Sequence, residues 1–177
     1  MNCWRKPQEA FITLKNIQAH NIMRRKLMKF TFGFVPIVLV SGFFVAGISG
    51  GTSCNTYPMV GSSYFISKKH LHADIPLWQN FTENKLVAQV NHRTLATFMT
   101  ILATYQIGSY LRGASTLTRS AKFASAFLVL ALWSQLGVGV KTIWESVPIH
   151  MASTHQIGAM TVLTAFVLTM HTCRRVD

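Results

Sequence analysis

No charged residue occurs between positions 31 and 67, and the first part of that run, residues 31 to 50, reads TFGFVPIVLVSGFFVAGISG. Few folds accept such a segment. About 20 apolar residues of helix cross the hydrocarbon core of a bilayer. There, every backbone N–H and C=O must be satisfied inside the protein, as a helix does. Pro36 would break a soluble helix, but packed neighbours can re-satisfy the freed carbonyl in a bundle. Gly42, Ala46, Gly47 and Gly50 let another helix or a flat ligand approach the backbone closely. Further apolar runs at residues 87–110, 121–140 and 151–171 predict three more spans, the last announced by Pro148. The expected fold is therefore all-α: an integral membrane four-helix bundle over residues 31–177, preceded by a basic segment at 1–30. Composition agrees. Only 12% of the 177 residues are charged and 50% are hydrophobic, where a soluble domain carries about 25% charged residues.

The net charge of +12 would point a soluble chain towards nucleic acid. Here the charges lie between apolar runs, so the partner they imply is a lipid bilayer and no nucleic acid. Arg5, Lys6, Lys15, Arg24, Arg25, Lys26 and Lys29 precede the first span. Arg112, Arg119 and Lys122 lie between the second and third, and Arg174 and Arg175 follow the fourth. With Glu9 and Asp177 this side totals +10, which leaves +2 for the other. Lys and Arg beside spans mark the inner side. Both termini are thus expected in the cytoplasm of a bacterium or the matrix of a mitochondrion, with the chain in the plasma membrane or the mitochondrial inner membrane. Residues 1–30 are basic, nearly free of acid, and apolar at Phe11, Leu14, Ile17 and Ile22. They read either as an amphipathic transit peptide or as an inner-side linker. The outer loop, residues 51–86, carries Tyr57, Pro58, Tyr64, Phe65, Trp78 and Phe81. Aromatic rings suit the membrane interface, and an ordered cap with short helical pieces is expected. Cys3, Cys54 and Cys173 are far apart and form no CxxC, so no zinc or dithiol motif and no disulfide framework is expected.

Seven histidines are present. His20, His70 and His72 fall outside the spans, and His171 at an inner end reads as interfacial. His92 and His155 differ, because each sits about one turn inside the outer end of a span that runs outer to inner. A polar ring in hydrocarbon is costly and marks function. Two at matched depth form a plausible pair of axial ligands to a haem iron, the kind of cofactor that bundle cores hold. His150 lies five residues before His155, about 140° away around the helix, and points elsewhere. Arg93 could fork a haem propionate. Gln89, Asn91 and Gln156 could orient the imidazoles. No Asp or Glu lies inside a span.

Three segments in order carry a resemblance: GFFVAGISGGTSCNTYPMVG, WQNFTENKLVAQVNHR and QLGVGVKTIWESVPIHMASTHQIGA. Together they resemble the second half of the haem A synthase family, over residues 31–175. The resemblance implies half of an eight-helix architecture, with haem b held between His92 and His155. The family oxidises a methyl of haem O to the formyl of haem A for cytochrome c oxidase. The family's first half holds the substrate haem and has a glutamate three residues before its histidine, where this chain has Gln89. Haem O is therefore expected to bind through that other half. It would come from a longer chain or from a homo- or hetero-oligomer, and haem A formation is not expected from these four spans alone. The leading reading is an oxidoreductase of haem A synthesis. The alternative is a non-catalytic haem-binding membrane subunit for electron transfer or assembly. A transporter fits poorly, because no broken helix faces an intramembrane charge pair.

Overall fold

The computed structural model describes residues 18, 21–22, 25–26, 29–113 and 118–172. Most of the basic segment 1–30, with His20 and Cys3, lies outside the described residues, as do Cys173, Arg174, Arg175 and Asp177. Among the described residues the chain is helical with no strand, only an isolated bridge between Val60 and Ser63. Four helices correspond to the four expected spans. The first is α1, Val35–Gly47, entered through a π-helical turn at Phe30–Phe34. A short α2, Asn80–Glu83, ends the outer loop. The remaining three are α3, Lys85–Gly113, α4, Arg119–Trp144, and α5, Ile149–Thr172.

The π turn has a local cause. Pro36 lacks an N–H, and its ring crowds the carbonyl four residues back. The widened turn brings the Val35 N–H to the Phe30 carbonyl just before it. Helix α1 stops where Ser49 turns left-handed at φ 54°. Helix α4 starts on Thr118, whose hydroxyl accepts from the Ala121 N–H at 3.2 Å.

Helices α4 and α5 form the closest pair. Ala121, Leu128 and Ala131 of α4 and Val162, Ala165 and Phe166 of α5 belong to one buried cluster, and Ala124 of α4 is buried as well. Small residues let the two backbones approach, and Thr169 Oγ1 reaches across to the Ala124 carbonyl at 3.1 Å. On the outside, large apolar side chains face away from the protein on every helix: Phe43, Phe98, Phe123 at 74% exposed, Leu130 and Ile157. In water each would forgo about 1.5–3 kcal/mol of burial, so this surface is built for lipid. The hydroxyls of Thr94, Thr97, Thr100 and Thr104 all bond back to carbonyls four residues earlier on α3, which satisfies them without water. Helices α4 and α5 are each long and apolar enough to cross a membrane. The protein is an all-α membrane protein.

The outer loop is an ordered cap, as its aromatic content implies. It contains short 3-10 turns at Gly50–Thr52, Lys68–His70 and Leu77–Gln79. Asn80 and Asn84 anchor it from beneath, each almost wholly buried. Asn80 Oδ1 accepts from the His72 N–H at 2.8 Å, and its Nδ2 donates to the His72 carbonyl at 3.1 Å. Asn84 Nδ2 donates to the His70 carbonyl at 2.8 Å.

Candidate functional site

The loop after α1 and the loop after α4 lie on the same side of the bundle. Asn55 Nδ2 donates to Ser146 Oγ at 2.9 Å, and Gly51 packs on Val147. Helices α3 and α5 both start from that side, so they run in the same direction. His92 lies seven residues past the start of α3 and His155 six past the start of α5, depths of roughly 10 and 9 Å. The matched depth read from the sequence is thus present. Both histidines sit nearer two turns than one from the helix start, because α3 and α5 begin two residues earlier than the apolar runs.

Each imidazole rests on a glycine of the neighbouring helix. A Cβ built on Gly42 of α1 would lie 3.0 Å from His92 Cε1, and one on Gly139 of α4 would lie 2.8 Å from His155 Cε1. Real side chains do not approach as closely as 2.8 Å, so Gly139 requires the missing Cβ, and at Gly42 a Cβ would be a tight contact that the His92 ring could meet only by shifting a few tenths of an ångström. The arrangement is a repeat: a glycine on the first helix of a pair cradles a histidine on the second, in α1–α3 and again in α4–α5.

The hydrogen bonds of the two rings differ. His92 Nδ1 lies 2.9 Å from Ser41 Oγ. His155 Nδ1 is buried with no hydrogen-bond partner among the described residues. Gln135 Nε2 donates to the His155 backbone carbonyl at 2.9 Å, not to its ring, and Gln135 Oε1 is itself buried and unpartnered.

The other polar residues expected at the site are placed differently. Gln89 does not orient an imidazole. Its Nε2 donates to the Gly51 and Cys54 carbonyls at 2.7 and 3.1 Å and so staples the loop to α3. Gln156 is exposed. Arg93 clamps the loop: Nη1 donates to the Thr56 carbonyl at 2.7 Å and Nη2 to that of Met59 at 2.9 Å, with the guanidinium 6.0 Å from the Tyr57 ring centroid. Tyr57 Oη in turn lies 2.9 Å from Thr97 Oγ1. Beside this clamp is Cys54. Burial pushes its thiol up, but the Thr56 hydroxyl, backbone contacts at Thr56 and Gly61, and the Arg93 charge outweigh that and hold it below the usual thiol range. His150 is exposed, as its angle from His155 requires.

Of the small residues flagged in the first span, Gly42 receives His92, and a Cβ added at Gly50 would lie 3.0 Å from the Lys85 carbonyl oxygen. A Cβ added at Gly47 would meet nothing within 4 Å. Sequence reasoning missed Ser41, Gly139 and the anchors Asn80 and Asn84. Gly139 was legible only as part of the GVG in the third segment. Among the described residues no group of three or more His, Cys, Asp or Glu could hold a bare metal ion.

A family model described as cytochrome oxidase assembly protein matches residues 2–167. The chain is 31% identical over 160 residues to the heme A synthase COX15 of Homo sapiens, an overlap of 90% of this chain and 38% of that protein. It is 34% identical over 141 residues to the heme A synthase of Nitrosospira multiformis, covering 80% of this chain and 38% of the relative. For the heme A synthase COX15 of Arabidopsis thaliana the identity is 35% over 141 residues, covering 80% and 30%. The chain thus spans well under half the length of the curated relatives it matches. No solved structure matches it.

Proposed function

The chain belongs to the cytochrome oxidase assembly family that includes the haem A synthases, and from that premise we propose that it is the haem-b-holding half of a haem A synthase. The observation that carries this reading is the pair of glycine-cradled histidines. Two imidazoles at one depth, on parallel helices, are too few to chelate a bare ion, but they suit an iron whose other four ligands come from a macrocycle. The orphaned His155 Nδ1 and the two cradles that a Cβ would fill mark a place organised around ring orientation. When bound, haem b supplies one-electron transfer between a donor and the oxidation of the haem O methyl.

The chain's own residues have definable parts in this. His92 and His155 would hold the haem iron, one imidazole from each helix pair. Arg93 brings a positive charge to the outer edge, where it suits a propionate, from a position fixed by the Thr56 and Met59 carbonyls. The loop stapled by Gln89 and anchored by Asn80 and Asn84 lies at that edge. Haem O and the acid that manages protons belong to the other half of the architecture, because Gln89 cannot ionise. We place the chain in the mitochondrial inner membrane or a bacterial plasma membrane with both termini on the matrix or cytoplasmic side, in accord with the charge split. The test is expression in cells lacking the native synthase, followed by haem extraction and chromatography. Haem A appearing only when a family first half is co-expressed supports the proposal. Haem A formed by this chain alone contradicts the division of labour, and none in either case contradicts the function.

A further inference from the structure

We infer that Ser41 is a positioning residue that fixes His92 in the Nδ1–H tautomer, turns its Nε2 lone pair towards the cofactor, and so makes the two histidines of the site inequivalent. The inference rests on the haem reading above and extends it to a residue outside the three resemblance segments.

The argument is a count of protons. A serine hydroxyl has one hydrogen to donate and two lone pairs to accept with. Ser41 Oγ donates to the Val38 carbonyl at 2.7 Å, inside α1, and lies 2.9 Å from His92 Nδ1. Turning that hydrogen to His92 instead would leave two oxygen lone pairs facing each other at 2.7 Å. The hydrogen therefore stays on the Val38 bond, and the contact with His92 is made by an Nδ1–H that donates to Oγ. A neutral imidazole protonated at Nδ1 has its free lone pair at Nε2. The ring cannot swing away, because Ser41 is buried and the adjacent Gly42 supports Cε1. His155 has the glycine but not the hydroxyl. The residue before Gly139 is Val138, whose carbonyl already accepts from Thr142 Oγ1 at 2.7 Å, and His155 Nδ1 has no partner among the described residues.

A ligating histidine that donates its other N–H is a more basic ligand, and loss of such a partner typically costs 10–100-fold in affinity. A more basic imidazole favours the ferric state, so removing Ser41 should make reduction easier.

Two readouts test this. The first uses the full chain without haem, with ¹⁵N-labelled histidine. The long-range ¹H–¹⁵N pattern of His92 should show a protonated Nδ1, and in Ser41→Ala that preference should weaken. A protonated Nε2 in the parent chain overturns the inference. The second uses haem-loaded chain. Ser41→Ala should bind haem about 10-fold more weakly and show a more positive midpoint potential, while Ser41→Thr, which keeps a hydroxyl, should restore both. Unchanged affinity and potential in Ser41→Ala, with haem lost in His92→Ala, would sink the role of Ser41 and leave the haem reading intact. No low-spin haem in the parent chain would instead sink the haem reading itself, while the tautomer measurement still judges Ser41.

Discussion

Replacing Gly139 by alanine adds one methyl group to α4, and the structure states what that methyl meets. It would sit 2.8 Å from His155 Cε1, 3.4 Å from Nδ1 and 3.5 Å from Nε2. Carbon atoms rest at about 3.5–4.0 Å, so the ring must retreat by roughly 0.7 Å, more than the ~0.5 Å that a ligand constellation tolerates. Overpacking of this kind costs about 1–3 kcal/mol, which is about 5–150-fold in affinity at 1.4 kcal/mol per tenfold. Alanine is also the better helix former by about 0.5–1 kcal/mol, so the apoprotein should lose less stability than the cofactor loses affinity. Gly137, two residues away on the same helix, has nothing within 4 Å of its added Cβ and is the internal control. Haem titration of the two purified variants, followed in the Soret band, is the assay. Gly139→Ala should bind at least five-fold more weakly, and Gly137→Ala should match the parent. Equal affinity in all three proteins would refute the cradle, and with it the argument that Gly139 is there for His155.

Further outcomes follow from the loop and the topology. Asn80→Ala removes both side-chain bonds to the His72 backbone from a position that is itself almost wholly buried. It should cost about 1–3 kcal/mol, seen as a lower thermal midpoint and faster protease nicking between residues 60 and 79. In a Cys3→Ser, Cys173→Ser background, the alkylation rate of Cys54 should rise with pH at a midpoint below that of a free peptide thiol, since the thiolate is favoured at lower pH. Thr56→Val should move the midpoint upwards, and an unshifted profile in both proteins contradicts the clamp geometry. Tags on both termini should resist protease added to the outer side of sealed membranes.

The helices were legible because lipid leaves the backbone so few choices, although the first uncharged run leaves helix at Gly47 and continues as the outer loop. Their ends were less legible. The third span read as 121–140 because Lys141 closes the apolar window, yet α4 continues to Trp144, as a helix may once its residues reach the interface. His92 and His155 stood out because a polar ring in hydrocarbon is costly wherever its partner lies. Ser41 did not, since a single hydroxyl in an apolar run can always satisfy itself on its own helix, and only the fold brings α3 beside it. The position of Arg93 at the membrane edge reads as one that could fork a propionate. Its contacts with Thr56 and Met59, more than thirty residues away in sequence, depend on a loop path that no local pattern encodes. Asn80 and Asn84 were visible as part of a motif, but their anchoring of the cap to the His70 and His72 backbone was not.

The central claim is that two histidines from different helix pairs hold one haem, and the reduced-minus-oxidised visible spectrum of the purified chain tests it most directly. The account predicts low-spin haem b bands in the parent and in His150→Ala, and their loss or conversion to high-spin in His92→Ala and in His155→Ala. Unaltered low-spin bands in both of the latter variants would contradict it.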